Sequence, residues 1–442
     1  MRSSLPSLRA LSRKALEHWR LLTRDPERFG RNLLQFTNAG LFEQRLIDVL
    51  NAVPMHVSVD TDLAARPHLN VLNSALTRSG MTGGPNTIIN LALRVARLGV
   101  PVRLVTTLAT SAMDPAWFRT HAVQLVGDRT LPDVPIVSAA DPDRPLAMGP
   151  RDIFLATHWT TAQQLKSVLP RMAVRQFFYM LQEFEPAFYA WSSNYALALE
   201  TYGLDFWPIF NERLLADYML GQNVGRLNDP VLRARATIFE PAIEERVFHP
   251  PVGAEPDRPK RLLFYARPTN TRNMFGLGLM ALRQAAANAA FAGWEFRAIG
   301  SRGSVPPLRL AAGHVLRPDD WMDYECYAQS LREADVLLCP MLSPHTSYPV
   351  LEMAASGGLS VTNTFATKTA AELEGLSDHI IATEPAVEAM AAGLIAAAER
   401  VNRGRTRIAS IRMARDWSAT LDPAATRVAG LFGKLSTGNP SH

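Results

Sequence analysis

The first half of the chain alternates between apolar runs of strand length and segments with helical spacing. Residues 68–75 (HLNVLNSA) predict a strand, and a glycine-containing loop at 76–86 follows it. Apolar side chains then recur every three or four positions over 87–98, which predicts an amphipathic helix that Gly99 ends. With the next predicted strand at 100–106, this segment forms one βαβ unit of parallel strands. Further strands are predicted at 153–156 and 176–180, and a third alternation runs over 206–219.

The second half repeats this alternation after a break. Residues 239–260 are rich in proline and charge and have no sustained periodicity, which is typical of an interdomain linker. Beyond them the pattern predicts strands at 262–266 and 295–299, with a helix near 276–290 between them. At 442 residues the chain exceeds what one hydrophobic core usually serves. The sequence therefore predicts an α/β protein of two doubly wound halves, with a cleft between the carboxyl ends of two parallel sheets.

Residues 333–364 carry the most specific pattern in the chain. The predicted elements are a buried strand at 336–339, a Pro/Ser/His loop at 343–347, a short helix from about Val350 and a strand at 359–362. The start of the helix directs unpaired N–H groups and a positive dipole end out of the sheet, which favours a phosphate group. Glu352, one turn into the helix, is placed to accept hydrogen bonds from sugar hydroxyls. This segment therefore predicts half of a nucleotide-sugar site.

The run S-P-H-T-S-Y-P-V-L-E-M-A at 343–354 resembles the donor-site segment of GT-B glycosyltransferases of retaining family 4, and within them the WsaF-type rhamnosyltransferases. In family 4 a second Glu stands eight positions before the helix Glu, but that position is Pro344 here. The resemblance covers about residues 70–417 and is strongest in the C-terminal half. It implies a GT-B fold, in which two Rossmann-like domains face each other across a cleft.

The resemblance also implies a domain arrangement. A nucleotide-sugar donor domain is expected at 255–417 and an acceptor domain at 51–250, with residues 418–442 crossing back onto the acceptor domain. Residues 1–50 remain as a basic helical segment ahead of them.

An activity follows from the same resemblance. The protein is expected to move a sugar, L-rhamnose from dTDP-L-rhamnose, onto a saccharide acceptor in surface-polysaccharide assembly, with retention and without a metal ion or cofactor. Two alternatives stay open: another UDP- or GDP-sugar donor, or a non-catalytic GT-B-like scaffold that binds nucleotide or glycan. A dinucleotide-dependent oxidoreductase is disfavoured because neither half opens with G-x-G-x-x-G.

Two arginines are expected to bind the diphosphate of the donor. Arg267 ends the first strand of the second half, and Arg272 follows it in ARPTNTRN, where family 4 enzymes carry a basic pair. Two converging guanidinium groups would offset the charge that builds on the leaving nucleotide and so replace a divalent metal. The alternative for each is a surface charge near a strand end.

The loop before the second-half helix supplies the other donor-binding candidates. Glu352 is expected on the nucleotide ribose, while Ser347 and Tyr348 would offer backbone N–H groups to phosphate. His345 touches sugar hydroxyls or phosphate in one interpretation and caps the loop in another. Asn363, after the next strand, is expected at the same rim.

In the first half, Gly83 and Gly84 are expected to face the cleft. They lie in the loop G-M-T-G-G-P-N at 80–86, and paired glycines let a backbone approach a ligand closely. The alternative is a plain tight turn between strand and helix. The resemblance favours the cleft.

Three polar side chains that follow predicted strands of the first half are catalytic candidates: His158, Glu183 and Glu185. Such groups position the attacking hydroxyl or stabilise an oxocarbenium-like transition state. The Q-E-F-E-P run around the two glutamates also resembles WsaF-type sequences. The alternative for the glutamates is hydrogen bonding that fixes the turn around Pro186, and for His158 it is a strand-end histidine satisfied by backbone.

The charge of the chain is concentrated at its start. Residues 1–31 hold eight Arg and Lys against three acidic side chains, a net charge of +5 that equals the formal net charge of the whole chain. On a helix, Arg9, Arg13, Arg20 and Arg24 share one face opposite an apolar stripe. This pattern indicates either peripheral contact with anionic lipid head groups or a helix that packs on its own domain. No nucleic-acid partner is expected, because the basic patch lacks interleaved aromatics.

The remaining composition favours a cytoplasmic protein, with a peripheral position on the inner face of the membrane if residues 1–31 bind lipid. Cys326 and Cys339 are the only cysteines and form no C-x-x-C pair, which fits a reducing compartment and argues against a zinc site. No apolar run reaches eighteen residues, and the start of the chain shows no secretory signal pattern.

Overall fold

A computed structural model describes residues 55–81, 83–108, 111–253, 258–301, 306–404 and 408–437. These residues belong to one compact unit. Two mainly parallel sheets lie at the centres of a first lobe and a second lobe within it. The predicted helical segment at 1–50, with its basic face at 1–31, lies outside the described residues.

The first lobe is built on a parallel sheet of doubly wound order. Its strands, together with the separate parallel pair β1 and β5, are β1 (Val57–Val59), β2 (Leu69–Asn73), β3 (Val102–Thr106), β4 (Ile136–Ser138), β5 (Leu146–Met148), β6 (Ile153–Ala156), β7 (Phe177–Leu181), β8 (Phe206–Asn211) and β9 (Thr237–Phe239). The strand order is β4-β3-β2-β6-β7-β8-β9, and each pairing is parallel. The order reverses between β2 and β6, which opens a crevice at the carboxyl ends of these strands.

Helices cover both faces of this sheet, so β2 and β7 are buried along their whole length. The helices are α1 (Gly83–Arg97), α2 (Pro115–Val126), α3 (Trp159–Val168), α4 (Ser193–Thr201), α5 (Arg213–Gly221) and α6 (Pro230–Ala234). Local signals set their ends: α2 begins after Asp114, whose side chain accepts from the Ala116 N–H, and ends at Gly127 with φ 76°. The predicted start of α1 at 87 is wrong, because the helix begins at Gly83.

A buried ionic network ties the starts of β2, β3 and β6 together. Asp152 is completely buried, and its Oδ2 accepts from Arg103 Nη2 at 2.6 Å and from Asn70 Nδ2 at 3.2 Å. Its Oδ1 accepts from the His68 N–H at 2.9 Å. This network lies at the opposite ends of the strands from the crevice.

The second lobe repeats the same order. Its strands are β10 (Arg261–Tyr265), β11 (Glu295–Ile299), β12 (Leu308–Arg309), β13 (Val315–Pro318), β14 (Val336–Leu338), β15 (Leu359–Asn363) and β16 (Ile380–Thr383). They are arranged β12-β13-β11-β10-β14-β15-β16, and β12 pairs with β13 as the antiparallel edge. The helices are α7 (Phe275–Ala285), α8 (Tyr324–Arg332), α9 (Tyr348–Ala355), α10 (Ala370–Leu376) and α11 (Val387–Arg403). Here the order reverses between β10 and β14, so the second crevice begins where those two strands end.

The chain passes between the lobes twice. Ile243, Val247 and Phe248, within the predicted linker, are buried in the core of the second lobe. The final helix α12 (Ser418–Thr437) packs in the core of the first lobe against α1, with Leu421, Val428 and Phe432 buried there. The first lobe is therefore made of two separate stretches of chain.

Candidate functional site

The loop at 343–347, between β14 and α9, is held by two carboxylates of the first lobe. Ser343 Oγ donates to Glu183 Oε1 at 2.6 Å, and Thr346 donates through its N–H and its Oγ1 to the two oxygens of Glu212, each at 2.8 Å. Both glutamates are buried and follow the first-lobe strands β7 and β8. The carboxyl ends of the two sheets therefore meet at the 343–347 loop.

The hydrogen bonds of His345 fix its tautomer. Its Nδ1 accepts the Ser347 N–H at 3.1 Å, so Nε2 carries the proton and donates to Glu183 Oε2 at 2.9 Å. Burial lowers the pKa of His345 to about 3, which keeps the ring neutral at physiological pH. The Ser347 N–H, a predicted phosphate donor, is engaged inside the loop.

Arg272 comes from the second lobe and meets the same carboxylate. Its guanidinium forms an ion pair with Glu183 Oε2 and lies 4.7 Å from the centre of the Phe188 ring. Burial lowers the pKa of Arg272 to about 10, and its Nε has no hydrogen-bond acceptor among the described residues. On the first-lobe side, the His158 ring stacks on Phe188 at 6.3 Å. The structure thus brings Arg272 and His158 together at the Phe188 ring, and Arg272 also pairs with Glu183.

Arg267 lies two residues after the end of the strand β10, and its side chain is only partly buried. It lies beside Tyr265: burial raises the pKa of the Tyr265 hydroxyl, and the Arg267 guanidinium opposes that rise. Arg267 also acts electrostatically on the thiol of Cys339, at the end of β14. It therefore lies at the carboxyl end of the second sheet, on the same edge as the 343–347 loop.

Tyr348, the first residue of α9, extends into the first lobe. Its hydroxyl accepts from Asn211 Nδ2 at 2.7 Å and lies 3.5 Å from Thr87 Oγ1. A Cβ at Gly83 would be 3.1 Å from the Tyr348 ring, and one at Gly84 would be 3.5 Å from the side chain of Gln182. The absence of a side chain at Gly83 thus lets the start of α1 approach the second lobe closely, whereas Gly84 faces Gln182 of the first lobe.

Glu352 lies one turn into α9 and is buried. Its Oε2 accepts from the Tyr327 hydroxyl at 2.8 Å, and burial raises the pKa of Glu352 to about 7. The Tyr327 hydroxyl thus orients this carboxyl, and its second oxygen remains as an acceptor.

Glu185 and His158 have their main contacts inside the first lobe. Glu185 Oε2 accepts from the Trp159 N–H at 2.6 Å and from the Tyr179 hydroxyl at 3.3 Å, and burial raises the pKa of Glu185 to about 8. His158 caps α3 through its Nδ1, which accepts the Thr160 N–H at 3.3 Å, and burial lowers its pKa to about 4. Glu185 therefore supports the turn that carries His158, whereas Glu183 reaches the second lobe.

Asn363 lies beneath the loop with its amide fully used. Its Oδ1 accepts the Met341 N–H at 2.6 Å, and its Nδ2 donates to the carbonyls of Met341 and Thr364, each at 3.1 Å. Asn363 is completely buried. It supports the backbone that precedes the 343–347 loop.

Two charged residues of the site were missed by the sequence analysis. Glu212 follows β8 as Glu183 follows β7, so its position after a predicted strand was the available signal. Its backbone has φ 98°, a conformation rare for a side chain other than glycine, which aims the carboxylate at Thr346. Lys368 follows β15 and is completely buried, with its Nζ donating to the Met341 carbonyl at 2.8 Å. A lone lysine after a strand gave no sequence signal for burial.

The described part of the chain contains neither a cluster of metal ligands nor a membrane-spanning helix. No three His, Cys, Asp or Glu side chains within it converge as metal ligands. None of its helices combines the length and apolar character that crossing a membrane requires.

Comparisons with known proteins agree with this architecture. The WsaF N-terminal domain family matches residues 68–213, and the WsaF C-terminal domain family matches residues 260–395. The O-antigen biosynthesis protein RfbC of Myxococcus xanthus is 37% identical over 222 residues, which are 48% of this chain and 15% of that protein. The chain thus matches a small part of a much longer relative.

Solved structures show the same two-lobed arrangement. Sucrose-phosphate synthase from Thermosynechococcus elongatus aligns with a TM-score of 0.50 and 13% identity, covering 84% of this chain and 97% of that one. HepE from Anabaena, solved in complex with UDP and glucose, aligns with a TM-score of 0.50 and 10% identity over the same shares. These alignments confirm the predicted GT-B fold. With both of its domain families matched over more than half of the sequence, the chain belongs to the WsaF family.

Proposed function

We propose that this protein is a glycosyltransferase that moves a sugar from a nucleotide-sugar onto a saccharide acceptor in surface-polysaccharide biosynthesis. The WsaF family match and the name of the RfbC relative support the biosynthetic role. The UDP and glucose bound to HepE support a nucleotide-sugar as donor. The most specific form of the proposal is a rhamnosyltransferase that uses dTDP-L-rhamnose in the cytoplasm. The resemblance of residues 343–354 to WsaF-type sequences supports that form.

The observation that carries the proposal is the buried guanidinium of Arg272. It lies at the carboxyl ends of both sheets, beside the 343–347 loop, and its Nε N–H has no acceptor among the described residues. A buried cation with a spare donor is suited to an anionic ligand, since a diphosphate would supply both charge and acceptors. Arg267, at the end of β10 on the same edge, supplies the second cation.

Glu183 stands where the family motif has lost a carboxylate. Its two oxygens contact Ser343 and His345, the residues on either side of Pro344. In family 4 the glutamate at that position binds hydroxyls of the transferred sugar. We infer that the first lobe provides this carboxylate instead, so the sugar is held only when the lobes are closed.

The reaction then follows from the positions of these groups. Arg267 and Arg272 hold the diphosphate, Glu352 accepts from the ribose, and Tyr348 keeps the lobes closed through Asn211. The acceptor oxygen bonds to the anomeric carbon on the face that the leaving group vacates as the bond from that carbon to the diphosphate oxygen breaks, and the proton of the acceptor hydroxyl passes to the departing diphosphate oxygen. The two guanidinium groups stabilise the charge that develops on the leaving group, so no metal ion is needed.

His158 is the remaining candidate on the acceptor side. Its ring stacks on Phe188, which the Arg272 guanidinium also contacts, and its pKa of about 4 keeps it neutral. We propose that it orients the acceptor hydroxyl. Glu185 supports it through the Trp159 N–H at the start of α3.

The test is a panel of dTDP-, UDP- and GDP-activated sugars, with release of the nucleoside diphosphate as the signal. We expect release from one donor class and a loss of at least about 100-fold in the Arg267→Ala variant, because one preorganised cation is removed from the leaving group. The matched control is Arg283→Ala, which removes an exposed arginine of α7 and should leave turnover unchanged. Equal turnover in Arg267→Ala and the wild type would refute the diphosphate role of Arg267.

A non-catalytic scaffold is the competing function, and the Pro344 substitution favours it. A scaffold would bind one nucleoside diphosphate, measured as a rise in melting temperature, but would release none from any activated sugar. A catalyst would do both. If the protein binds a nucleoside diphosphate but releases none from any activated sugar of the panel, it is a scaffold and the transferase proposal is refuted.

A further inference from the structure

The turn at 365–368, which follows β15 in the second lobe, rests on the first lobe. It is closed by backbone hydrogen bonds between Phe365 and Lys368 in both directions, at 2.9 and 2.8 Å. Thr367 Oγ1 donates to the Leu214 carbonyl of α5 at 2.7 Å, and the Phe365 ring lies 6.4 Å from that of Tyr218. This turn is therefore a further contact between the lobes, separate from those that Glu183, Glu212 and Tyr348 make.

Lys368, the last residue of this turn, reaches back beneath the 343–347 loop. Its ammonium donates to the Met341 carbonyl at 2.8 Å, the same carbonyl that Asn363 Nδ2 contacts at 3.1 Å. Asn363 also accepts the Met341 N–H. The backbone N–H and the backbone carbonyl of Met341 are thus both held by hydrogen bonds with two buried side chains, Asn363 and Lys368.

The fixed peptide leads directly to Arg272. The residue after Met341 is Leu342, and its N–H donates to the Arg272 carbonyl at 2.8 Å. A continuous path therefore runs from the first lobe at Leu214, through the turn, Lys368 and Met341, to the backbone of Arg272.

The charge of Lys368 is costly where it lies. The side chain is 0% exposed, and the Met341 carbonyl is the acceptor found for its three N–H donors within the described residues. An apolar side chain of similar length would fill the same space without a desolvation penalty. Packing alone therefore does not account for a charged side chain at this position.

The groups around Lys368 belong to the site. Burial lowers the pKa of Lys368 to about 8; Cys339 and Glu212 oppose this shift and Arg272 adds to it. His345 faces it as well, and Lys368 contributes to its lowered pKa. Lys368 thus adds positive potential next to the cation that faces the proposed diphosphate.

We propose that Lys368 is a positioning residue for donor binding: it fixes the Met341 peptide, and through Leu342 the Arg272 backbone, when the turn at 365–368 is seated on the first lobe. The donor is the nucleoside-diphosphate sugar of the proposed function, on which this inference rests. Seating the turn and forming the diphosphate site are then one event.

The experiment compares Lys368→Met, Lys368→Arg and Thr367→Val with the wild type. We expect Lys368→Met to raise the donor KM and the Kd of the released nucleoside diphosphate about tenfold, since it removes a charge-assisted hydrogen bond. Lys368→Arg should recover most of that loss. Valine has nearly the volume of threonine but cannot donate the hydrogen bond to the Leu214 carbonyl. Thr367→Val should therefore raise the donor KM a few-fold and leave the acceptor KM unchanged. Lys260→Met is the matched control, because Lys260 is a partly exposed lysine of the same lobe whose Nζ donates to Asn402.

A pH profile separates positioning from packing. In the wild type the donor KM should rise as the pH passes about 8, where Lys368 loses its proton, and this rise should be absent from the Lys368→Arg variant. Glu352, with a pKa of about 7, titrates in both proteins, so the difference between the two profiles is the measurement. If Lys368→Met fails to fold, Thr367→Val and the pH profile decide. A wild type that turns over with an unchanged donor KM in Lys368→Met and Thr367→Val would overturn this inference alone. A wild type that binds no nucleoside diphosphate would overturn the proposed function as well.

Discussion

Replacing Glu183 by alanine tests how the two lobes are joined. The carboxylate accepts from Ser343 at 2.6 Å and from His345 at 2.9 Å, and it is the anion paired with the buried Arg272. Removing one partner of a buried ion pair costs about 3–5 kcal/mol. At about 2–4 °C per kcal/mol for a lobe of this size, the melting temperature should fall by at least about 6 °C.

The assay is a double-mutant cycle measured by thermal unfolding, with and without a nucleoside diphosphate. Thermal unfolding of the wild type, Glu183→Ala, Arg272→Met and the double variant gives the coupling between the two residues. The double variant should be more stable than the sum of the single losses by about 2 kcal/mol, because it leaves no buried charge unpaired. A nucleoside diphosphate should stabilise Glu183→Ala more than the wild type, since its phosphates replace the lost anion.

Two results would refute this reasoning. A decrease in melting temperature smaller than about 2 °C would mean that the Glu183–Arg272 ion pair is not formed and buried in solution. Stability losses of the two single variants that add up to the loss of the double variant would mean the same. A ligand-induced shift no larger in Glu183→Ala than in the wild type would mean that the Arg272 guanidinium does not face the diphosphate.

Three further predictions concern other parts of the molecule. Tyr348→Phe should cost about 1 kcal/mol and raise the donor KM, because the Asn211 amide loses its acceptor across the lobes; thermal unfolding and donor kinetics measure both, and an unchanged KM would contradict it. The free energy of unfolding of Glu352→Gln should rise relative to that of the wild type by about 3 kcal/mol between pH 4 and pH 8. The reason is that the raised pKa of about 7 makes the wild type lose stability as Glu352 ionises. Unfolding is measured across that range, and a constant difference in stability between the two proteins would contradict the prediction. Asp152→Asn should cost about 3 kcal/mol by unpairing the buried Arg103, without altering nucleotide affinity; a changed affinity would place the network in the site.

The central strands of both sheets could be predicted from the sequence because they are buried on both faces. The predicted 153–156 coincides with β6, a short apolar run that is buried along its length. The predicted 295–299 coincides with β11, in which charged residues alternate with buried apolar ones. The strands β12 and β13 were missed, since two to four half-exposed residues at a sheet edge leave no pattern. The start of α1 was placed too late because glycine is a weak helix former, and contact with Tyr348 keeps it there.

The site could be predicted as far as strand ends are visible in a sequence. Parallel strands gather their carboxyl ends at one edge, so Glu183 was expected on the first-half side of the cleft and Arg272 and His345 on the second-half side. That Glu183 contacts both of them is seen only in the structure. The sequence could not separate Glu183 from Glu185, two positions along, because a short turn directs one carboxylate outward and the other inward. Glu212 depends on a positive φ that no pattern reports.

The return of α12 to the first lobe has a consequence for synthesis. The second lobe is continuous from β10 to α11, so its whole core leaves the ribosome in one stretch. The first lobe emerges earlier but lacks Leu421, Val428 and Phe432 until the second lobe has been made, so the apolar face of α1 stays uncovered in the nascent chain. The half that is made first is thus the half that is completed last.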